Sequence, residues 1–157
     1  MQQSAALQFR RARRGDLDAI VALLADDVLG SQREDPTMPA AACYVAAFEA
    51  IAHDSNQYLA VAERAGQVVG CLQLSFIPGL SRRGLWRGQI ESVRVAAGER
   101  GAGTGRAFFE WAIEQCRAQG CGMVQLTTDK TRADAHRFYE SLDFVATHDG
   151  MKRELAH

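Results

Sequence analysis

Apolar residues in the first third of the chain recur at intervals of three and four, which is the spacing of one buried helix face. A short strand is predicted at residues 9–13. A helix then follows and ends near Gly30, and a second helix covers residues 41–52. The two apolar stripes consist of Leu17, Ile20, Val21, Leu24 and Val28, and of Tyr44, Val45, Phe48 and Ile51. Both helices precede the main part of the predicted sheet.

The middle of the chain changes to residues that favour strands. Residues 57–63 and 67–77 are predicted to pair antiparallel, because Arg64-Ala65-Gly66 between them is a hairpin signal. A further strand covers residues 89–95. After a glycine cluster at 101–105, an amphipathic helix closes at Gly120. The buried side of this helix is formed by Phe108, Phe109, Ala112, Ile113 and Cys116.

The last part of the chain predicts a short buried strand at 123–127, a helix at 132–142 and a terminal hairpin. The hairpin pairs residues 144–148 with 151–155 around Asp149-Gly150. No repeat, low-complexity tract or linker interrupts these elements. The sequence therefore predicts one α/β (α+β) domain over residues 1–157, with its core at about 7–155.

Composition narrows the function classes. The chain has 157 residues, of which 47% are hydrophobic, and 18 Lys+Arg balance 19 Asp+Glu for a net charge of -1. This balance provides no long-range field for nucleic acid or an anionic membrane. No apolar run reaches the ~20 residues of a membrane span, and residues 1–14 lack the apolar core of a secretory signal. We expect a cytoplasmic protein whose partner is a small molecule or a peptide.

The four cysteines form no CxxC pair, and each has apolar neighbours in the sequence. This arrangement favours buried free thiols over disulfides or zinc ligands. We therefore expect no metal, and a monomer or homodimer without covalent links. The cysteines are Cys43, Cys71, Cys116 and Cys121.

The segment from residue 95 to 106 carries the clearest chemical signal. Glycines alternate at 101, 103 and 105 between a strand and a helix, so backbone N–H groups can converge on an anion at the helix N-terminus. Arg100 and Arg106 add positive charge, which predicts a phosphate or pyrophosphate as the ligand. A glycine turn that only permits tight packing is the alternative. A Walker loop would end in G-K-[ST], which this segment does not contain, and the glycine spacing of a Rossmann fingerprint is also absent.

Two motifs in this order resemble the GNAT (GCN5-related N-acetyltransferase) superfamily. Residues 100–105, R-G-A-G-T-G, match its Q/R-x-x-G-x-G/A signature, and residues 135–144, A-H-R-F-Y-E-S-L-D-F, nearly match A-x-x-F-Y-x-x-x-G-F. The resemblance covers residues 7–155. It implies a mixed central sheet of about seven strands flanked by four helices and splayed between strands 4 and 5. It also implies acetyl-CoA as cosubstrate and an amine as acceptor.

The chain departs from the family pattern at two positions. Asp143 replaces the glycine of the G-F pair, at a place where a left-handed conformation is expected; Asp tolerates that conformation better than most residues. Arg132 stands where many relatives have Asn, so the side-chain amide contact to coenzyme A is not expected here, and Arg132 can offer a cationic contact instead.

The resemblance also implies the site residues. Glu91, on the fourth strand, is the expected general base that removes the amine proton, directly or through water. Tyr139 is the expected general acid for the thiolate, and Gln89 can orient substrate or water but cannot act as a base. Backbone groups of Val93 and Val95 are expected to pair with pantetheine. The predicted acetyl-CoA residues are Val93, Arg94, Val95, Arg100, Gly101, Ala102, Gly103, Thr104, Gly105, Arg106, Arg132 and Tyr139.

Strand periodicity adds a geometric expectation, because it places Glu91, Val93 and Val95 on one face of the strand. His136 lies one turn from Tyr139 and is expected at the surface. Other interpretations of Glu91 and Tyr139 are a solvated strand residue and a core aromatic. A catalytically silent acyl-CoA sensor or scaffold, and a nucleotide-binding regulator, remain as alternatives. The acceptor is not identified, since the segments expected to wall it, 25–40 and 75–87, carry charges of both signs.

Overall fold

The computed structural model describes residues 5–156. Residues 1–4 and 157 of the predicted 1–157 domain lie outside this range, and residues 1–4 are also the beginning of the N-terminal segment 1–14. Contacts divide the chain into a compact unit that ends at Val124 and a second one that begins at Gln125. The prediction of a single domain stays a prediction. No helix in residues 5–156 has the length and apolar composition that crossing a membrane requires.

The first unit is built on a mixed sheet. Four antiparallel neighbours are followed by a short parallel strand, in the order β1 to β5. The strands are β1 Leu7–Arg11, β2 Gln57–Arg64, β3 Gln67–Ile77, β4 Arg87–Val95 and β5 Met123–Gln125. The last of these, β5, reaches Gln125, the first residue of the second unit. The five strands predicted before residue 128 are thus present to within a few residues at each end.

Six α-helices and two 3₁₀ turns, at Arg14–Asp16 and Ala97–Glu99, accompany these strands in the described residues. Four have eight residues or more: α1 Leu17–Ala25, α3 Ala42–Ala52, α5 Thr104–Ala118 and α6 Ala133–Glu140. The other two are single turns, α2 Gly30–Arg33 and α4 Ser81–Gly84. The expectation of four flanking helices agrees with the four longer ones.

The two faces of the sheet are covered by different helices. On the first, here called the α1 face, α1 and α3 pack against the strands. Its core consists of Ala12, Leu17, Ile20, Val21, Leu23, Phe48, Val61 and Cys71. On the opposite α5 face, Phe108 is fully buried and stacks on Phe9 with ring centroids 5.0 Å apart. Burial of one such aromatic side chain contributes about 1.5–3 kcal/mol, so α5 is held firmly against the sheet.

The hairpin between β2 and β3 forms as predicted. Arg64 pairs with Gln67, which leaves a two-residue turn at Ala65 and Gly66. Their φ angles are +52° and +76°. Two successive positive φ values are typical of a type I′ turn, whose twist matches that of the flanking strands.

The first helix ends earlier than expected. It stops at Ala25, before Asp26 and Asp27, and Val28 is 80% exposed instead of completing the apolar stripe. Two adjacent carboxylates at a helix C-terminus oppose the helix dipole, which explains the early end. Gly30 is then buried in the next turn, where a Cβ would lie 2.0 Å from the carbonyl oxygen of Leu24.

The terminal hairpin and one cysteine differ from the expectation. The residues from Phe144 to Ala156 form no strand, so the described sheet has five strands and not about seven. Val145 and Met151 are 78% and 94% exposed. Apolar side chains that stay exposed contribute no burial free energy to offset the entropy of ordering a strand. Cys43 is exposed and Cys121 is partly buried, whereas Cys71 and Cys116 are buried as expected.

Candidate active site

The loop from β4 to α5 contains two left-handed glycines. The φ angle is +78° at Gly101 and +82° at Gly103, a region that other L-residues rarely adopt. No heavy atom lies within 4 Å of a Cβ placed on either residue. Glycine is therefore required here by backbone conformation, and the space beside both residues is open.

The N-terminus of α5 follows directly. Its first backbone hydrogen bond runs from the N–H of Ala107 to the carbonyl of Gly103, at 3.0 Å. Helix geometry leaves the preceding N–H groups without an acceptor inside the helix, and the helix dipole adds partial positive charge. This is a suitable site for an anion.

Two exposed arginines border the loop. The guanidinium of Arg100 lies 3.8 Å from the carboxylate of Asp26, and that of Arg106 lies 3.7 Å from Glu110. Exposed pairs of this kind contribute about 0–1 kcal/mol, so a phosphate can replace either carboxylate at little cost. The open glycine loop, the helix N-terminus and these two cations together fit a pyrophosphate group.

A buried anchor fixes the beginning of α5. The hydroxyl of Thr104, 1% exposed, donates to Glu99 at 2.7 Å, and Arg64 Nε donates to the same carboxylate at 3.0 Å. The hydrogen bonds from Arg64 and then Thr104 lower the pKa of Glu99. Because the Thr104 hydroxyl faces the protein, only the backbone of this residue is available to a ligand. This anchor was not predicted from the sequence.

A β-bulge interrupts β4 next to Glu91. Gln73 pairs with Glu91 but Cys71 pairs with Arg94, so β4 contains one extra residue at this point. Ser92 within the bulge has φ +56°. The bulge changes which side chains share a face, because Glu91 and Arg94 now both lie on the α1 face. The expectation that Glu91 and Val95 share a face is therefore wrong; strict alternation does not survive an inserted residue.

Glu91 itself is exposed and touches a small polar network on the α1 face. Ser75, only 8% exposed, lies 2.9 Å from Gln57 Oε1 and 3.5 Å from Glu91 Oε1. Gln73 Nε2 also donates to Gln57 Oε1, at 2.9 Å. A hydroxyl has one proton, so Ser75 donates to Gln57 or to Glu91 at any moment, and the shorter bond to Gln57 is the stronger. The Glu91 carboxylate thus keeps acceptor capacity for a substrate or a water molecule.

Arg94 connects the end of β4 to the segment after α1. Its Nε lies 2.9 Å from Asp27 Oδ2, and its Nη1 donates to the carbonyl of Val93 at 2.9 Å. Arg94, predicted to bind the cofactor, therefore directs its side chain to the α1 face. Asp27 belongs to the segment 25–40 that was expected to wall the acceptor, and the ion pair places this residue beside β4.

The strand lengths bear on the predicted splay. β5 has three residues and β4 has nine, so β5 can pair with at most a third of β4. The hydrogen bond from Gly122 N to the carbonyl of Trp86, at 2.9 Å, places this pairing at the beginning of β4. The part of β4 that contains Val93 and Val95 lies beyond it. This agrees with an opening between strands 4 and 5.

The second unit contains the other predicted catalytic residue. Tyr139 lies near the end of α6, half-buried between Phe138 and Phe144, with ring centroids 5.6 and 6.1 Å away. Asp143 has φ +65°, as predicted, and the N–H of Phe144 donates to the carbonyl of Tyr139 at 3.1 Å. Asp143 thus performs the turn that glycine performs in the family pattern. The structure holds Tyr139 in place through the helix end and its aromatic neighbours.

Two further predicted residues lie on the same unit. Arg132 is exposed and precedes the first turn of α6, where its carbonyl accepts from His136 N at 3.1 Å. His136 is half-buried and not fully at the surface, and no hydrogen bond to its buried Nε2 is seen in the described residues. Arg132 can reach a ligand from solvent, whereas the Nε2 atom of His136 is buried.

The first unit therefore brings together Glu91, the bulge, the end of β4 and the glycine loop. The polar network of Gln57, Gln73 and Ser75 was missed. The sequence does contain a signal for this network, because the polar Gln73 and Ser75 alternate with Leu72 and Leu74 in an otherwise apolar strand. Residues 5–156 contain no group of three or more His, Cys, Asp or Glu side chains that could hold a metal ion.

Residues 25–144 match the family model described as the acetyltransferase (GNAT) family. The chain is 32% identical over 102 residues to the aminoalkylphosphonate N-acetyltransferase of Salmonella typhimurium, covering 65% of this chain and 66% of that protein. It is 36% identical over 90 residues to the glucosamine 6-phosphate N-acetyltransferase of Trypanosoma brucei brucei, covering 57% of this chain and 59% of that protein. The matched regions thus span less than two thirds of these relatives.

Among solved structures, a crystal structure described as a transcriptional regulator from Bacillus halodurans C-125 is similar over almost the whole chain. The TM-score is 0.92 at 46% sequence identity, covering 96% of this chain and 100% of that one. A putative acetyltransferase from Agrobacterium tumefaciens has a TM-score of 0.82 at 30% identity, covering 94% of this chain and 99% of that one.

Proposed function

Because the chain belongs to the acetyltransferase (GNAT) family, we propose that it transfers an acetyl group from acetyl-CoA to a primary amine. The observation that carries this proposal is the continuous path from Glu91 on β4 through the bulge to the glycine loop and the N-terminus of α5. This path combines a carboxylate for proton transfer with an anion site for the pyrophosphate. Acetyl-CoA, when bound, supplies the acetyl group and the leaving thiolate.

The reaction forms a bond between nitrogen and the acetyl carbon and breaks the bond between that carbon and sulfur. An amine of pKa about 10.4 is protonated at pH 7, and removing its proton costs about 4–5 kcal/mol. Glu91 is our proposed base, because its exposed carboxylate lies at the bulge and its contact with Ser75, at 3.5 Å, is weak. Tyr139 is the proposed proton donor to the leaving thiolate.

The proposed acetyl-CoA site uses the loop and its borders. Backbone N–H groups of Gly101 to Arg106 and the side chains of Arg100 and Arg106 hold the pyrophosphate, and backbone groups of Val93 and Val95 pair with the pantetheine arm. Arg132 is also retained in the proposed set, as a cationic contact to the cofactor. Arg94 is retained in this set through its position beside Val95, although its side chain pairs with Asp27.

A small-molecule acceptor is favoured over a peptide. The two curated relatives are named for small amines, an aminoalkylphosphonate and glucosamine 6-phosphate. The polar side chains around Glu91 are of the kind that orients a small polar molecule. We further propose a cytoplasmic protein that is a monomer or a homodimer.

The test is the release of coenzyme A from acetyl-CoA with a panel of primary amines. Glu91→Gln and Tyr139→Phe should each lower kcat by about 10²- to 10⁴-fold and leave the Kd for acetyl-CoA nearly unchanged. The Glu91→Gln variant should also change the limb of the pH–rate profile that reports amine deprotonation. Activity within threefold of the parent across the pH range would remove that residue from the mechanism.

Matched controls are available in the same chain. Glu114→Gln makes the same charge change on α5, where Glu114 pairs only with the exposed Arg117 in the described contacts. Tyr58→Phe removes a phenol from the α5 face, where Tyr58 packs against Trp111. Both variants should keep parental kinetics. Gly103→Val should instead raise the Kd for acetyl-CoA at least tenfold, since valine cannot adopt φ +82° without strain.

A second candidate is an acyl-CoA-binding regulator without turnover. The description of the Bacillus halodurans relative as a transcriptional regulator supports it. Tight acetyl-CoA binding with no coenzyme A release across the amine panel would favour this candidate over the transferase.

A further inference from the structure

The α1 face of β4 carries two polar side chains in addition to Glu91. Arg87, Gln89 and Glu91 pair with alternate residues of β3 and therefore share this face. Gly88 and Ile90, which lie between them, are buried on the α5 face. The three side chains form a row of a guanidinium, an amide and a carboxylate.

The row has a defined length and order of charge. Alternate Cα atoms of a strand lie about 6.8 Å apart, so Arg87 and Glu91 are separated by about 13 Å along β4. A ligand lying along the row would therefore meet a negative group at one end and a positive group at the other.

The hairpin before this row strengthens the positive end. Residues 78–90 contain three arginines and no acidic residue. Arg82 and Arg83 are exposed and have φ angles of +54° and +58°. Arg82 Nη1 lies 3.9 Å from the sulfur of Met123 in the neighbouring strand. The arginine-rich turn is thus at the Arg87 end of the row, away from Glu91.

Polar groups also lie beside the centre of the row. Ser75 is the β3 partner of Gln89, and Gln57 is the β2 partner of Ser75. Ser75 Oγ donates a hydrogen bond to Gln57 Oε1 at 2.9 Å, and the same oxygen accepts a hydrogen bond from Gln73 Nε2. These residues form a polar floor next to Gln89, where a core strand usually has apolar side chains.

From this arrangement we infer that the acceptor is a small primary amine carrying a phosphate or phosphonate group, bound with its amine at Glu91 and its anion at Arg87. A phosphorus oxyanion accepts two parallel hydrogen bonds from a guanidinium, a geometry that lysine does not reproduce. Gln89 and the polar floor contact the atoms between the two ends. Arg87 is thus a specificity-determining residue, and this inference rests on the proposed acetyl transfer.

The experiment compares O-phosphoethanolamine with ethanolamine as acceptors. The parent should prefer the phosphorylated amine in kcat/KM by about 10- to 100-fold, as expected for charge-assisted hydrogen bonds. Arg87→Gln should remove most of this preference, chiefly by raising KM for O-phosphoethanolamine. Arg87→Lys should retain part of it. The intrinsic difference between the two amines cancels when the preference of each variant is divided by that of the parent.

Two controls isolate the effect. Arg117→Gln makes the same charge change on the exposed side of α5 and should keep the parental preference. The Kd for acetyl-CoA should be the same in the parent and in Arg87→Gln, which excludes an effect on the phosphates of coenzyme A. Thermal denaturation of each variant verifies that it is folded.

The outcomes separate the two proposals. Equal use of both amines by the parent, or an unchanged preference in folded Arg87→Gln, would overturn the inference and leave the transferase proposal standing.

If no amine is acetylated, the transferase proposal fails. Calorimetric titration of O-phosphoethanolamine into the parent and Arg87→Gln, with coenzyme A bound, then decides the anion site by itself. Binding at least tenfold weaker in the variant supports the site, and equal or absent binding overturns it.

Discussion

Replacing Ser92 tests whether the bulge in β4 organises the site. Ser92 has φ +56° and its side chain is exposed, so a substitution removes no buried contact. The contact of Cys71 Sγ is to the backbone carbonyl of Ser92, at 3.7 Å, and does not depend on the side chain. The variants therefore differ mainly in the cost of a left-handed conformation.

The size of the effect follows from that conformation. A left-handed residue costs roughly 1–2 kcal/mol, and a β-branched side chain is particularly unfavourable there, whereas Asn tolerates it. Ser92→Val should therefore lower the free energy of unfolding by about 1–2 kcal/mol, which corresponds to a Tm decrease of roughly 2–8 °C for a chain of this size. Ser92→Asn should be neutral or slightly stabilising, and Ser92→Gly should change stability by less than about 1 kcal/mol.

The assay combines thermal denaturation with the coenzyme A release measurement. If Val forces β4 toward regular pairing, Glu91 and Arg94 cannot both remain on the α1 face, because removal of the extra residue reverses one of them. Ser92→Val should then lose at least about tenfold in kcat, since small misplacements of a reacting group are costly. Equal Tm values for the Val and Asn variants, with equal kcat, would refute the role assigned to the bulge.

Three further predictions concern stability and can be measured by thermal or denaturant unfolding. Gly88→Ala should cost about 1–3 kcal/mol, since the new Cβ would lie 2.3 Å from Cys116 Sγ, and Cys116→Ala should recover much of this loss; simple additivity of the two changes would contradict the proposed clash. Ala65→Asn should stabilise the protein by a few tenths to about 1 kcal/mol, because Ala65 has φ +52° in the hairpin turn, and a destabilised variant would argue against that turn. Hydrogen bonding from Arg10 lowers the pKa of Asp16 in the folded state, so this pair stabilises the fold above the unfolded pKa of about 3.9, and its contribution is lost as the pH falls through the folded pKa. The difference in unfolding free energy between the parent and Asp16→Asn should therefore be larger at pH 7 than at pH 3. A difference that does not change with pH would exclude this linkage.

Local patterns determined most of the fold. The stripe that includes Phe108 and Cys116 predicted the buried side of α5, and Ala65-Gly66 predicted the hairpin turn, because both signals depend on residues close in sequence. The glycine loop and Asp143 were also identified correctly as sites of unusual backbone, since positive φ is restricted to a few residue types. The prediction of a terminal hairpin was wrong, because a strand forms only where it can bury apolar surface, and local patterns do not show whether a partner surface is present.

The arrangement of the site was decided by tertiary structure. Strict alternation assigned Glu91 and Val95 to one face, but an inserted residue at Ser92 reverses that relation, and its presence depends on the partner strand β3. Thr104 was predicted as a ligand contact, yet its hydroxyl is committed to Glu99, which Arg64 reaches from a strand 35 positions away in sequence. The row that begins at Arg87 becomes visible only when the strand register is known. In each case the physical reason is the same: the contacts join residues distant in sequence, and local periodicity contains no information about them.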